Sequence, residues 1–337
     1  MKQLIIAMHL LLTCSVFVGD LEASPFIDEI EVRSGWKELI DEAEITIPKK
    51  LMEFGLIDVQ PGQEVSINVG YEIPGIDQST FYTRDVFKGY VSQVNPKVPL
   101  QIRCEDAGWL FKQTNINKSW TSPVTFKEII TYITSEVNTA NPVRRNVAFN
   151  LNDLPDITFE SFRIPNKNAA QVLQTFKENP YNLAIYFRDH DLNIHMAYDK
   201  SYGNVEYFLD QNVIDHDLEY RNPGDQKIQV KAVVLKPDNT FTEEAYGEPG
   251  GDTVTLTFNK GENPELVKQL TDLKLKRYAE GYRGRIQTFM IPFANHSMTA
   301  RLVDPEFIRD DSYHIDSTTL KFGDGITIDV ELGIKVS

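Results

Sequence analysis

A chain of 337 residues with 41% hydrophobic and 25% charged side chains has a globular composition and enough material for two or three cores, which sets aside disordered and collagen-like classes. Its 34 basic against 49 acidic residues give a formal charge of -15, which disfavours a broad phosphate-binding surface, so no nucleic-acid partner is predicted. Only Cys14 and Cys104 are present, with no C-x-x-C and no Cys/His cluster, so neither a disulfide scaffold nor a structural zinc site is encoded.

The two cysteines either form one bridge or pack as reduced thiols, and the second is expected because free Cys is commonly buried as a small hydrophobe. The chain opens MKQLIIAMHLLLTCSVFVGD, a lysine and then an apolar run from Leu4 to Val18, which admits two readings: an exported leader with a lipoprotein-like Leu11-Leu12-Thr13-Cys14, or folded structure. No later run approaches the length that crosses a bilayer, so no stable membrane anchor is predicted.

Glu44-Ile45-Thr46-Ile47, Val65-Ser66-Ile67-Asn68-Val69 and Leu100-Gln101-Ile102-Arg103-Cys104 alternate apolar with polar, the period of a strand with one wet face. Pro61-Gly62 and Asn95-Pro96 supply turns between them. Strands without intervening helices favour a barrel or sandwich. After Trp120 the pattern changes. Thr125-Phe126-Lys127-Glu128 has the spacing of a capping box, and Phe126, Ile129, Ile130, Ile133 and Val137 follow a helical stripe that ends before Asn141-Pro142. A second helix is predicted from Asn168, with Val172, Leu173 and Phe176 inward, followed by strands Leu183 to Phe187 and Leu192 to Met196 around the turn Arg188-Asp189-His190-Asp191.

Strands return from Val205, with Lys227 to Leu235 and Thr253 to Phe258 joined by a stretch from Pro237 to Asp252 that reads as a mobile loop. One helix follows over about 263–280, with Asn263 as N-cap, Pro264 at the first position and Gly281 closing it in a left-handed conformation. Its basic residues Lys268, Lys274, Lys276 and Arg277 read as a solvated face. Pro99 to Glu105 resembles Gly325 to Glu331, and Ile45-Thr46-Ile47-Pro48 resembles Phe289-Met290-Ile291-Pro292, which is a hint of a duplicated β-domain. The expected class is α+β and β-rich: a first β-barrel domain over 1–115, a small α/β insert over 116–204 and a second, similar β-barrel domain over 205–337.

Asp189-His190-Asp191 and Asp215-His216-Asp217 set carboxylates beside imidazoles, but strand neighbours point to opposite faces and rarely converge on one ion. Gly323-Asp324-Gly325 reads as a hairpin turn because a strand follows it. No nucleophile-elbow, zinc-protease or P-loop motif occurs, and no residue is assigned as catalytic, cofactor-binding or metal-ligating.

In order, these segments resemble the late-control protein D family, the baseplate hub proteins of contractile-tailed phages. The first match runs from Ile30-Glu31-Val32-Arg33-Ser34-Gly35-Trp36-Lys37 through Ala43 to Pro48, Pro61-Gly62 and Phe87-Lys88-Gly89-Tyr90-Val91 to Cys104-Glu105-Asp106. The second takes Lys274 to Gly284, Ile291-Pro292, Leu302-Val303-Asp304-Pro305, Tyr313-His314-Ile315 and Gly325 to Gly333. The loop from Pro237 to Asp252 has no counterpart in that pattern. The resemblance implies a non-enzymatic virion protein of the tail baseplate, assembled in the bacterial cytoplasm without a cofactor. It would be a homotrimer whose six barrels adapt a six-fold tail tube protein to a three-fold spike protein among other baseplate proteins. A related module occurs in type VI secretion spike proteins and other contractile injection systems. The family begins with a strand pair, which Leu4 to Leu12 and Ser15 to Leu21 can supply, so the opening run is read as retained structure rather than a cleaved signal. Two other classes stay open: an exported β-sandwich binding protein or lipoprotein, motivated by the apolar start, and a glycan-processing enzyme, motivated by acidic and aromatic content.

Overall fold

A computed structural model describes residues 10–24, 27–48, 59–74, 80–95, 98–149, 154–178, 181, 183–222, 228–235, 240–247, 250, 252–258, 264–276 and 280–336. The chain is a β-rich α+β protein. Its first seven strands are β1 (Leu11–Val18), β2 (Leu21–Glu22), β3 (Glu29–Gly35), β4 (Glu42–Ile47), β5 (Glu64–Ile73), β6 (Thr80–Asn95) and β7 (Leu100–Glu105). Then come α1 (Gly108–Gln113), β8 (Asn115–Trp120), β9 (Val124–Thr125), α2 (Phe126–Ala140), β10 (Thr158–Phe159), β11 (Phe162–Asn168), α3 (Ala169–Lys177), β12 (Leu183–Arg188) and β13 (Asp191–Met196). The remainder is β14 (Asn204–Phe208), β15 (Val213–Arg221), β16 (Ile228–Leu235), β17 (Phe241–Gly247), β18 (Asp252–Phe258), α4 (Pro264–Lys276), β19 (Gly281–Phe289), β20 (Thr299–Asp304), β21 (Arg309–Phe322) and β22 (Ile326–Lys335).

Thirteen strands from the two ends of the chain form one sheet. Its N-terminal half runs β3-β4-β7-β6-β5-β1, and its C-terminal half runs β15-β19-β22-β21-β20-β14. Taken in chain order, the two sets of six occupy the same places, so the duplication hinted at by the sequence is a repeat of strand order. The outermost strand differs, because β1 is antiparallel to β5 while β14 is parallel to β20. Register also shifts the proposed match by one residue. Ile102 and Ile328 correspond, and their partners across the ladder are Ile45 and Thr288, not Phe289. Ile45, Ile47, Thr288 and Met290 are buried and Phe289 is exposed, and a one-residue slip would turn every inward side chain outward.

The two halves are welded where β21 pairs antiparallel with β3, from Ser317 opposite Gly35 to Phe322 opposite Ile30. Their inward residues, among them Val32, Ile45, Ile67 and Ile102 on one side and Tyr207, Ile286, Ile315 and Ile328 on the other, make one continuous apolar core. Each such side chain contributes about 1.5–3 kcal/mol when fully buried.

The middle of the chain builds a second core around α2 and α3. The capping box is formed: Thr125 Oγ1 accepts from Glu128 N at 3.2 Å and Glu128 Oε2 accepts from Thr125 N at 2.8 Å. Asn168 caps α3 in the same reciprocal way with Gln171. The helix α1 was not expected; Asp106 Oδ1 accepts from Gly108 N at 2.7 Å at its start. Ile228, Val230, Leu256, Phe258, Val267 and Leu270 join this second core, so the three-stranded sheet β17-β16-β18 and α4 pack with the middle of the chain.

Three sequence expectations change. The stretch read as a loop from Pro237 to Asp252 contains β17, paired with β16 from Phe241 opposite Leu235 to Gly247 opposite Gln229. Its residues are almost all exposed, so the apolar alternation that marks a strand is absent. Gly281 does not cap the helix: it opens β19 at φ 130°, and a Cβ there would lie 3.0 Å from the Tyr313 ring. The expected N-cap Asn263 lies outside the described residues. At the N-terminus Leu11–Val18 is one strand making eight rungs with β5, not the end and start of a pair, and the expected strand from Leu4 falls mostly outside the described residues.

Candidate functional site

The polar chemistry of this chain concentrates where the two β-halves meet the middle unit. At the end of β3 the chain bends through Trp36 and Lys37 against β21. Asp316, from β21, is almost fully buried and accepts from Trp36 Nε1 at 2.9 Å, from Tyr198 OH at 3.3 Å and from Lys37 Nζ at 2.5 Å. One carboxylate of the C-terminal half thus holds groups from the N-terminal half and from the middle of the chain. Gly333 faces it, and a Cβ at that position would sit 2.4 Å from Asp316 Oδ1, so the close approach requires glycine. Lys177 reaches in from α3 and donates to the carbonyls of Trp36 and of Ile185, the latter at 2.7 Å. Burial pulls its ammonium down to about 7.

A second knot lies beside it. Asp41 Oδ1 accepts from Gly35 N at 3.0 Å, Asp106 Oδ2 accepts from Asp41 N at 2.8 Å, and Asp106 Oδ1 takes the first amide of α1. Burial raises Asp41 to about 7, and burial with the neighbouring Asp41 carboxylate raises Asp106 well above the usual range. His296 Nε2 is 3.8 Å from Asp41 Oδ2, but burial, and then the charges of Arg188 and Lys177, bring that imidazole down to about 3. The contact is therefore one between a neutral ring and a carboxyl group, not an ion pair. Arg188 donates to His296 O at 3.1 Å and lies 4.6 Å over the Tyr202 ring, while Lys88 on β6 reaches Asp189 at 3.2 Å. These groups border a crevice of about 130 Å³ that also touches Asn295 and His190. The Asp41 and Asp106 oxygens are largely taken up by backbone amides, which makes this a fixed joint between modules.

The motifs singled out in the sequence lie apart from one another. Asp189-His190-Asp191 is the turn of the β12–β13 hairpin, with Asp189 and His190 at φ 50° and 73°. His195 is buried and contacts Met196 O at 2.8 Å and Tyr186 OH at 3.3 Å. Asp215-His216-Asp217 lies on the edge strand β15, where Asp215 and Asp217 face away from His216, and Gly323-Asp324-Gly325 is the turn between β21 and β22. Among the described residues no three His, Cys, Asp or Glu side chains gather as metal ligands. Cys14 and Cys104 are free thiols, and burial raises both. No described helix is long and apolar enough to cross a membrane. The sequence reading missed the joint formed by Trp36, Asp41, Asp106, Lys177 and Asp316, although Gly35-Trp36-Lys37 and Glu105-Asp106 stood inside the stretches that carried the resemblance.

The class is set by a doubled six-strand arrangement joined where β21 pairs with β3. No protein-family pattern matches the sequence, and no curated protein matches it. Solved structures do. The chain is similar to a tail protein from Neisseria meningitidis MC58, at TM-score 0.64 and 12% identity over 97% of each chain. It is similar to the 43 kDa tail protein of prophage MuSo2 from Shewanella oneidensis, at TM-score 0.65 and 13% identity over 96% of this chain and 98% of that one. The Francisella PdpA-VgrG complex matches at TM-score 0.54 and 10% identity, over 97% of this chain and 53% of that chain.

Proposed function

We propose that this protein is a structural hub of a contractile phage or prophage tail, a ring-forming adaptor between a six-fold tube and a three-fold spike, acting mechanically and not as an enzyme. The observation that carries the reading is the repeat of strand order within one chain, β3-β4-β7-β6-β5-β1 against β15-β19-β22-β21-β20-β14. Two equivalent modules per chain let three copies offer six, which is how a three-fold object meets a six-fold one. The similarity to tail proteins over nearly the whole chain supports the same reading. The buried joint at Asp316 and Asp41 suits a part that must transmit thrust without flexing. Its expected partners are two further copies, the tube protein, the spike protein and other baseplate proteins, in the virion baseplate after assembly in the host cytoplasm.

The similarity to the Francisella VgrG complex favours a second setting, the hub of another contractile injection system. Light scattering on the purified protein should report a trimer, and electron microscopy a ring. A monomer that persists at high concentration overturns the hub reading. Copurification with tube and sheath proteins of a virion, as opposed to a secretion apparatus, separates the two settings.

A further inference from the structure

The repeat is complete in strand order but not in pairing. In the C-terminal half, β21 gives one edge first to β20, over Arg309–His314, and then to β3, over Ser317–Phe322. In the N-terminal half, β6 gives the matching edge to β5 only as far as Tyr90, and Val91 N then donates to Gln63 O in the adjoining turn. After a bulge at Ser92, Gln93 to Asn95 pair with β7 on the other side and, among the described residues, with no strand on this one. The mirror situation holds for β3 and its counterpart β15. The first is paired on both edges, to β4 and β21, and the second, among the described residues, pairs with β19 alone.

Among the described residues, β15 and the end of β6 therefore each have an edge that no strand covers, and these are the two edges that the internal β21–β3 junction joins at the other end of the repeat. They are not paired with each other within the chain, where β19, β22, β21, β3, β4 and β7 lie between them in the same sheet. An unpaired edge with its row of free amides and carbonyls is a template for another strand. We propose that β15 of one copy pairs antiparallel with Ser92–Asn95 of a second copy of this chain, repeating between molecules the junction that β21 and β3 make within one.

The register follows from the repeat. Val94 and Leu320 stand opposite the corresponding Ile102 and Ile328, while Val32 and His216 stand opposite the corresponding Ala43 and Ile286. Since Leu320 pairs with Val32, Val94 pairs with His216, which sets Gln93 against Asp217 and Asn95 against Asp215. The chemistry matches. The β6 segment carries no charge and brings amide donors to the two aspartates, so the acidic edge meets no like charge across the ladder. Each aspartate has one oxygen on a backbone amide, Asp215 Oδ1 on His216 N and Asp217 Oδ1 on Arg285 N, both at 2.8 Å, and the nearest cation to Asp217 Oδ2 is Arg285 at 3.7 Å, which leaves acceptor capacity for amide donors. Such a head-to-tail contact closes into a ring or grows into a filament according to its rotation, and the choice of three copies rests on the hub reading above.

The test uses the full chain with Cys14→Ser to remove the half-exposed native thiol. Gln93→Cys with Asp217→Cys in one chain should yield covalent dimers and trimers on mild oxidation, seen on a non-reducing gel. Each single variant, and Gln93→Cys with Glu219→Cys two positions out of register, should cross-link about tenfold less, because a disulfide needs Cβ atoms about 4 Å apart. Val94→Lys, at a half-buried position packed against the edge of the apolar core, should weaken self-association about tenfold or more at a temperature where circular dichroism shows the variant still folded. A wild-type oligomer that neither cross-links in this register nor responds to Val94→Lys overturns the junction and leaves the hub reading standing. A wild-type monomer with no cross-links overturns both.

Discussion

Asp316 shows what a single buried carboxylate does in this fold, since this residue of the C-terminal half takes its partners from the N-terminal half and from the middle of the chain. Asp316→Ala removes hydrogen bonds to Trp36 and Tyr198 and should cost about 2–3 kcal/mol, measured by urea unfolding, with a change in Trp36 fluorescence. Gly333→Ala should destabilise alone, through the clash with Asp316 Oδ1, yet add little to Asp316→Ala, because the two share one contact. None of this is legible in sequence: Trp36 and Asp316 are 280 positions apart, and an aspartate in a strand carries no mark of burial. Asp41 supplies a pH test. Its folded-state value of about 7 exceeds the ordinary 3.8, so between those values the folded state holds more protons than the unfolded one. Its contribution to stability therefore falls as pH rises from about 4 to 7. His296, lowered from 6.5 to about 3, acts in the opposite sense over much of the same window, while Asp106, raised like Asp41, acts in the same sense, so the total profile blends all three. Asp41→Asn isolates one of them: relative to wild type it should gain stability steadily from pH 4 to pH 7, and a pH-independent difference would refute the assignment.

The elements that could be read from sequence are those whose signal is local. The α2 helix was legible because Thr125 and Glu128 cap it reciprocally and its five inward side chains recur at helical spacing. Thr125→Ala should cost about 1 kcal/mol in thermal unfolding, and an effect within error would mean that packing of Phe126, Ile130 and Ile133 holds the first turn unaided. The alternating strands β4, β5 and β7 were legible for the same reason, each having one buried and one wet face. By contrast β17 has hardly a buried residue and α1 is six residues long, so neither offers a period to detect. The duplication was visible as a faint likeness between β7 and β22. Its alignment onto β19 slipped by one residue because proline was matched with proline, whereas the sheet matches buried positions with buried positions.

At the scale of the molecule, two cores and one shared sheet make a prediction about cooperativity. Residues of the N-terminal and C-terminal halves belong to one apolar core although the whole stretch from Glu105 to Asn204 separates them, and the β21–β3 rungs close the sheet across that join. The middle unit has its own core and touches the halves through the polar joint at Trp36, Lys177 and Arg188 and through a limited apolar contact, in which Leu39 and Tyr90 enter that core and Trp36 packs on Ala184, Tyr186 and Ala197. Polar contacts of that kind orient neighbours but contribute less to coupling than a continuous apolar core does. The two β-halves should therefore open as one unit, and the middle unit should be able to open separately. Native-state hydrogen exchange distinguishes this from the alternative in which each half is an independent domain. Amides of β4, β7, β19 and β22 should exchange with a common opening free energy, while those of α2 and α3 follow a different one. If β4 and β7 opened at markedly lower free energy than β19 and β22, the shared core would not be the unit of stability, and a hub that passes force from one half to the other would lack its mechanical basis.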